Sequence, residues 1–236
     1  MLTLIKNIHL HTPEDKGKQQ LLIAGEKIIA IGEDLQVAGS KLNVVDAHGL
    51  HAMPGLIDQH VHIIGGGGQT GYFSLAPEVP LIRLIATGTT TVVGLLGTDG
   101  FVKTLPQLYA KTKALCQDGI TAYMLTGYYG LPTPTITSSI AEDMIYLDKC
   151  IGCKIAMSDD RSSHPTKQEL LRIIQQVRLG GFGRAAWTVA FRLHHRHGLA
   201  ARQQEGKAGP VLLPDGHPAH PRRGPFGCQR PVLPCG

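Results

Sequence analysis

The chain has 236 residues, 42% of them hydrophobic, so it is long enough and apolar enough to bury a substantial core. This composition excludes a chain that is disordered throughout, and no apolar run approaches the roughly 20 residues that a membrane helix needs. The first residues lack the basic start, long apolar stretch and small-residue cleavage site of a secretory signal. We therefore expect a cytoplasmic protein with no membrane partner.

The formal net charge of +5 is distributed unevenly along the chain. Residues 1–180 carry 15 basic and 16 acidic side chains, whereas residues 181–236 carry 8 basic and 2 acidic ones. The second segment is also rich in glycine, proline and histidine and has almost no helical or strand periodicity. We interpret 181–236 as an aberrant basic tail, a candidate product of a shifted reading frame. Its aromatic residues are too sparse for a nucleic-acid stacking platform, so we expect no nucleic-acid partner.

Residues 1–52 have the pattern of short strands. Hydrophobic residues alternate loosely over 4–10, residues 12–17 are typical of a turn, and the apolar runs 21–24 and 28–32 predict a hairpin. Such a segment is expected to form a small β-sandwich, although 52 residues are few for a free-standing one.

From residue 53 the pattern changes to strands that alternate with helices, which is typical of a parallel βα architecture. After the strand that begins at Leu56, strands are predicted at 89–96, 120–126 and 151–157, and helices at 77–86, 101–116, 140–148 and 167–178. Residues 53–180 therefore predict four βα units, which is the N-terminal half of an eight-unit TIM barrel.

The first of these strands ends in two histidines, His60 and His62, followed closely by the four glycines 65–68. Residues at i and i+2 of a strand point to the same side, and imidazole is the commonest metal ligand in proteins. Two exposed histidines at a strand end are the alternative. Glycines after the pair allow the backbone to approach a ligand closely.

Lys154 lies inside the fourth predicted strand, between apolar neighbours. A buried lysine is costly unless its charge is lost or paired. Carbamylation, which turns the neutral amine into an anionic metal ligand, is one solution. An ion pair with a nearby carboxylate such as Asp159 is the other.

The run 53–62 resembles the first barrel strand of the amidohydrolase superfamily. Four blocks, in family order and with family spacing, narrow the resemblance to the isoaspartyl (beta-aspartyl) dipeptidases: 58–68, 92–98, 124–129 and 154–162. The resemblance covers about residues 1–180 and implies a zinc metallopeptidase on a TIM barrel, with a beta-aspartyl dipeptide as substrate. Members of this family tend to be homo-oligomers.

For the metal centre, the resemblance implies two zinc ions. His60 and His62 would bind the first ion, and carbamylated Lys154 would bridge both. A two-zinc site lowers the pKa of its water enough to supply hydroxide near neutral pH.

For the substrate, the resemblance implies contacts from Gly67 and Thr98. Tyr129 would be the catalytic residue that polarises the scissile carbonyl, and Arg161 would hold a substrate carboxylate. A phenol donor suits a developing oxyanion, and a guanidinium fork suits a carboxylate. Gln69 departs from the family, which has a glutamate there for the substrate amine, and an amide supplies no negative charge.

The resemblance also implies two further histidine ligands, an arginine and an aspartate base from later strands, and none can be assigned. The tail contains candidate residues outside any family motif: His194, His195, His197, Asp215, His217 and His220. We therefore expect a truncated copy with little or no activity. The alternatives are another amidohydrolase, dihydroorotase-like or deacetylase-like, or a non-enzymatic fragment.

Cys150 and Cys153 form a Cys-x-x-Cys without a second pair. A redox or zinc role is one interpretation. Two structural thiols around a buried strand are the interpretation we favour.

Overall fold

The computed structural model describes residues 1–37, 41–68 and 70–182, and the backbone of one further strand at 188–192. The strands in chain order are β1 (Leu2–Thr12), β2 (Glu14–Ala24), β3 (Lys27–Gly32), β4 (Leu42–Asp46), β5 (His51–Ala52), β6 (Leu56–Val61), β7 (Gly66–Gly67), β8 (Leu75–Ala76), β9 (Thr89–Gly94), β10 (Thr121–Gly127), β11 (Cys150–Ala156) and β12 (Thr188–Arg192). The helices are α1 (Leu81–Ala86), α2 (Leu105–Gln117), α3 (Ile140–Tyr146) and α4 (Lys167–Gly180), with a short 3-10 helix at Tyr72–Ser74. No described helix is long and apolar enough to cross a membrane.

The N-terminal segment is a single five-stranded sheet. Its strand order is β3-β2-β1-β4, and β5 also pairs with β1. Both β4 and β5 run parallel to β1. The described residues contain one sheet here, whereas a sandwich needs two. The sequence predicted a turn over residues 12–17. The turn in the structure is shorter than that, because β1 continues to Thr12 and β2 already begins at Glu14. A small core forms beneath the sheet from Ile8, Leu10, Leu21 and Ala47.

The second large sheet is parallel and confirms the predicted half-barrel. Its strand order, β12-β11-β10-β9-β6, follows the order of the chain. The helices that connect these strands cover one face, as right-handed βα crossovers require. The main core lies between the helices and the sheet and includes Ile63, Val92, Leu108, Met124, Met144, Ile155 and Val177.

Two predicted helices begin later than their sequence pattern indicates. Pro80 is the N-cap of α1, with an extended ψ of 143°, so residues 77–79 lie between β8 and the helix. Thr104 caps α2, so residues 101–104 precede the helix. In both cases a capping residue, and not the first apolar residue, determines where the helix begins.

The strand β12 lies inside the segment that the sequence indicated to be aperiodic. It pairs in parallel with β11, with Lys154 opposite Ala190. The sheet therefore has one strand more than the four that were predicted. The rest of 181–236 beyond Phe182 lies outside the described residues, and so do the tail histidines and Asp215.

Candidate functional site

The predicted metal-binding histidines lie at the carboxyl end of β6, where catalytic groups of such barrels collect. His60 is the second-last residue of the strand, and His62 follows it directly. Both side chains are partly buried. Their ring centroids lie 5.6 Å apart, with the rings nearly perpendicular. The structure therefore brings the two imidazoles together as the i, i+2 spacing predicted.

Two glycines make room for the His62 ring. A Cβ on Gly97 would lie 2.7 Å from Cε1 of His62, and a Cβ on Gly66 would lie 3.3 Å from its Cγ. Real Cβ atoms essentially never approach as closely as the first distance. The ring of a predicted ligand is thus held between the glycine-rich loop and the loop after β9. Sequence reasoning did not select Gly97, although it lies within the block 92–98.

The glycine-rich loop adopts backbone conformations that only glycine tolerates well. Gly65 has φ +81°, and a Cβ there would lie 2.1 Å from the carbonyl oxygen of Ala76. Gly67 has φ +100°, and its carbonyl oxygen accepts a long hydrogen bond of 3.5 Å from Oγ1 of Thr98. The two residues that the resemblance assigned to substrate binding are therefore neighbours. Gln69 lies outside the described residues.

Asp99 is a buried carboxylate that the sequence analysis did not select. Neither of its side-chain oxygens has a hydrogen-bond donor among the described residues. The Cβ position of Gly97 is 3.3 Å from Oδ1 of Asp99 and 3.1 Å from Nδ1 of His62, so the carboxylate lies close to that ring. Carboxylates near ligand histidines typically orient the ring and raise its basicity as a ligand.

Three more predicted side chains meet at the ends of β10 and β11. Lys154 and Tyr129 are buried, with relative exposures of 1% and 2%. Nζ of Lys154 lies 5.5 Å from the centroid of the Tyr129 ring, and Cζ of Arg161 lies 5.4 Å from the same centroid. Tyr129 thus contacts both the predicted bridging ligand and the predicted carboxylate-binding residue.

Arg161 is held by Asp159, which is also buried. The pair is bidentate: Nε donates to Oδ1 at 2.7 Å and Nη2 donates to Oδ2 at 2.8 Å. The hydrogen bonds that Arg161 donates to Asp159 raise the pKa of its guanidinium further above the ordinary value. Asp159 therefore fixes the guanidinium plane, and Nη1 lies outside the pair. The sequence had offered Asp159 as a partner of Lys154, and in the structure its carboxylate makes this bidentate contact with Arg161.

The donor set at these strand ends fits a bound metal ion. Two imidazoles lie side by side, one ring is held by glycines, and a lysine is buried in an adjacent part of the sheet. Burial disfavours the charged form of a lysine, and the neutral amine is the form that can be carbamylated. Among the described residues, the only group of three or more histidine, cysteine or carboxylate side chains close enough to hold an ion lies elsewhere, in the N-terminal sheet.

The Cys-x-x-Cys pair has the environment of structural thiols. Cys150 and Cys153 are both fully buried in β11, and the described cysteines form no disulfide. Burial raises the pKa of the Cys153 thiol far above its ordinary value. A reactive cysteine needs the opposite shift and some exposure. The interpretation of two structural thiols is therefore the better one.

The chain is similar in sequence and in fold to solved structures of beta-aspartyl dipeptidase. It is similar to a beta-aspartyl dipeptidase of the thermophile Fervidobacterium islandicum AW-1, with 44% sequence identity and a TM-score of 0.77 over 81% of this chain and 53% of that one. A second structure of a beta-aspartyl dipeptidase from that bacterium, in complex with a beta-Asp-Leu dipeptide, gives a TM-score of 0.75 at the same identity and covers 50% of that chain. The predicted resemblance to the beta-aspartyl dipeptidases is confirmed.

Curated proteins give weaker similarity to other amidohydrolases. An imidazolonepropionase of Alkaliphilus metalliredigens is 29% identical over 126 residues, 49% of this chain and 29% of the relative. A dihydroorotase of Lactobacillus gasseri is 29% identical over 178 residues, 75% of this chain and 39% of the relative. No model of a known protein family matches the chain.

The chain spans about half the length of the dipeptidases and less of the curated relatives. The likeness to amidohydrolases implies a metal, and it covers the half-barrel together with the N-terminal sheet.

Proposed function

We propose that this chain is part of a zinc-dependent isoaspartyl dipeptidase that hydrolyses beta-aspartyl peptide bonds. The observation that carries the proposal is the contact of Tyr129 with both Lys154 and Arg161, since these are the catalytic residue, bridging ligand and carboxylate-binding residue that the resemblance implies. The 44% identity to beta-aspartyl dipeptidases supports it.

In this proposal His60 and His62 hold one zinc ion, and Lys154, carbamylated at Nζ, contributes an oxygen ligand to two. Zinc ions bound there would lower the pKa of water and so supply hydroxide near neutral pH. Gly66 and Gly97 leave the space that the His62 ring occupies in this role, because a Cβ on Gly97 would lie 2.7 Å from the ring.

The substrate would be held by groups on three strand ends. Arg161, whose plane is fixed by Asp159, would bind a carboxylate of the dipeptide through its remaining donors. The Tyr129 hydroxyl would donate to the scissile carbonyl oxygen as negative charge develops on it. Thr98 and Gly67 would contact the same substrate.

We further propose that the chain on its own turns over little. The additional histidine ligands and the aspartate base that the resemblance implies are not among the described residues. The origin of the basic tail in a shifted reading frame also remains our proposal. Resequencing the gene tests it, and an intact frame with the same tail in related strains would argue against it.

Zinc content and beta-Asp-Leu hydrolysis, measured on the same preparation, test the proposed function. Alpha-Asp-Leu is the matched substrate, because it differs only in which carboxyl group forms the peptide bond. We expect bound zinc and a preference for the beta-linked peptide in binding and in any turnover. Absence of zinc together with equal binding of the two peptides would support the non-enzymatic alternative.

Tyr129→Phe removes only the phenol donor. Where turnover is measurable, we expect kcat to fall by about 10²-fold, as for the loss of an oxyanion donor, with zinc content unchanged. Tyr146→Phe is the matched control, because Tyr146 is 71% exposed and outside the site. Equal rates for the two variants would remove Tyr129 from the catalytic machinery.

Gln69→Glu restores the family's negative charge for the substrate amine. We expect tighter binding of beta-Asp-Leu, measured by calorimetry, because a carboxylate pairs with an ammonium group more strongly than an amide does. Unchanged binding would show that position 69 does not face the amine.

The runner-up is a dihydroorotase-like activity. The similarity to the Lactobacillus gasseri dihydroorotase, which extends over 75% of this chain, favours it over a deacetylase-like one. Ring opening of dihydroorotate in place of beta-Asp-Leu cleavage would select it. We also propose a cytoplasmic homo-oligomer without nucleic-acid or membrane partners.

A further inference from the structure

Three histidines form a compact cluster in the N-terminal sheet, away from the strand ends of the half-barrel. His9 and His11 lie at i and i+2 of β1, and His51 of β5 is the register partner of His9. The three rings are mutually stacked, with centroid separations of 5.0, 4.7 and 5.1 Å. One ligand atom from each residue lies within 4.8 Å of the other two.

The distances inside the cluster are close to those of a metal site. Nε2 of His11 and Nδ1 of His51 lie 2.8 Å apart. Nitrogen ligands at about 2.0–2.1 Å from a tetrahedral ion lie roughly 3.3 Å from one another, which is between this contact and the 4.8 Å limit. Small side-chain rotations would therefore suffice. His9 and His11 are half-buried and His51 is exposed, so an ion can enter from solvent.

A carboxylate next to the cluster supplies the usual support for a ligand histidine. Nε2 of His9 lies 2.6 Å from Oδ1 of Asp15, across the β1–β2 turn. A carboxylate oxygen that accepts from Nε2–H of His9 fixes the tautomer of that ring and leaves its other nitrogen, Nδ1, as an acceptor for a metal.

The proposed hydrolase does not use this cluster. It lies in a different sheet from His60 and His62, and it supplies three imidazoles by itself. We propose that His9, His11 and His51 form a second, independent site for a divalent transition-metal ion that prefers imidazole, such as Zn²⁺, Ni²⁺ or Cu²⁺, with Asp15 as the residue that orients His9. The class of ion follows from the ligands, because three neutral nitrogens suit these ions and not Mg²⁺ or Ca²⁺.

The test uses the full chain, without an affinity tag, in a His60→Gln/His62→Gln background that removes the paired barrel histidines. Ni²⁺ and Zn²⁺ binding are measured by equilibrium dialysis and elemental analysis. We expect His11→Asn and His51→Asn each to remove one ion per chain. His48→Asn is the matched control, because His48 is an exposed histidine near the same sheet and has φ +50°, which asparagine tolerates.

Asp15→Asn tests the orienting role separately. We expect roughly tenfold weaker binding with the same number of ions, as for the loss of a carboxylate beside a ligand histidine. Far-UV circular dichroism of every variant checks that the sheet is retained.

Cu²⁺ electron paramagnetic resonance gives a second readout, which counts the nitrogen ligands of the ion. In the background protein, the part of the signal that His11→Asn removes should carry hyperfine coupling to three nitrogens. An ion count and affinity that stay the same in His11→Asn and His51→Asn, or coupling to a single nitrogen, would overturn the proposal. The three rings would then be a stacked surface cluster only.

Discussion

Asp143 is a buried carboxyl group with several hydrogen-bond donors around it. It is completely buried and accepts hydrogen bonds from the hydroxyl of Thr126, the backbone N–H groups of Ile136 and Thr137, and the hydroxyl of Thr137. These bonds tie the loop after β10 to α3. An ionised carboxylate can accept all of them, whereas an amide cannot.

Asp143→Asn should therefore lower the free energy of unfolding by about 3 kcal/mol, since hydrogen bonds to a charged group are worth about 1.5–3 kcal/mol each. The side-chain NH₂ of asparagine would also face N–H and O–H donors that the carboxyl group now accepts from. Urea denaturation measures the change. Asp118→Asn at an exposed position is the control, and it should stay within about 0.5 kcal/mol of the parent. Equal midpoints for the two variants would show that the network adds nothing to stability.

The buried thiols lead to a second prediction at the scale of single residues. Burial raises the pKa of Cys153, so its reactive thiolate is scarce in the folded chain. In native buffer, a thiol reagent should label the partly buried Cys116 before Cys150 or Cys153. Mass spectrometry of the labelled peptides measures the order, and labelling in urea provides the reference. Rapid native labelling of Cys153 would reinstate a redox role.

The sequence predicted some site residues and missed others for an identifiable reason. The pattern His60-Val61-His62 predicted paired imidazoles, and they are paired. The same pattern occurs at His9-Leu10-His11 and was not selected, because its third member, His51, lies 40 residues further on and reaches it only through strand pairing. Local spacing determines which side of a strand a residue faces, whereas its partners depend on the register between strands.

At the scale of elements, α2 and α4 begin with the same device. Thr104 and Thr166 each accept from the N–H three residues later, and the side-chain oxygens of Gln107 and Glu169 accept from the N–H of the threonine in return. Thr104→Ala and Thr166→Ala should each cost about 1 kcal/mol at neutral pH. The two boxes differ in one respect, which is that only the second contains an ionisable group.

That difference predicts that the two substitutions respond differently to acid. Hydrogen bonds from the Thr166 hydroxyl and backbone lower the pKa of Glu169 below its ordinary value of 4.5. Its contribution to stability is thus complete above pH 4.5 and is lost as the pH falls through the lowered value. The penalty of Thr166→Ala should shrink over that range, and the penalty of Thr104→Ala should not. Denaturation at neutral and acidic pH measures both, and parallel curves would contradict the assignment.

Long periodic segments made most elements predictable, and their ends much less so. Runs rich in apolar and β-branched residues predicted β9, β10 and β11. Each of these strands begins within two residues of its predicted first residue. By contrast, β12 was not predicted, because residues 181–236 have almost no periodicity as a whole and the strand forms by pairing with β11. Pairing with a strand that is already formed makes up for weak local preference.

At the scale of the whole molecule, the edge of the parallel sheet is exposed. The strand β6 is the last in the sheet order, and its Leu56 and Ile57 are 56% and 64% exposed. Unpaired edge strands with apolar side chains invite pairing with another chain. We expect the purified chain to self-associate with rising concentration, as seen by light scattering.

Ile57→Lys places a charge on this edge and should reduce the association without loss of helix content, because edge lysines are a common protection against such pairing. Glu142→Gln on α3 is the control, because it changes one charge on an element away from this edge. Association that is the same in Ile57→Lys as in the parent would place the contact elsewhere.

The overall architecture followed from the sequence in part. Four alternations of strand and helix predicted a half-barrel, and the structure has one. The N-terminal segment was predicted to be rich in strands and is, and its described residues form one five-stranded sheet. The spatial arrangement of Tyr129, Lys154 and Arg161 came from the resemblance, since no local pattern connects residues on separate loops.

The strand order β6, β9, β10, β11, β12 also has a consequence for how the chain is made. Every strand of this sheet pairs with the one that left the ribosome just before it. The sheet can therefore grow strand by strand during translation, with no need to wait for distant segments. The outer edge of β6, formed first, has no such successor, because in a closed barrel it meets the strand that is synthesised last. The earliest strand is thus the one that waits longest for its second neighbour.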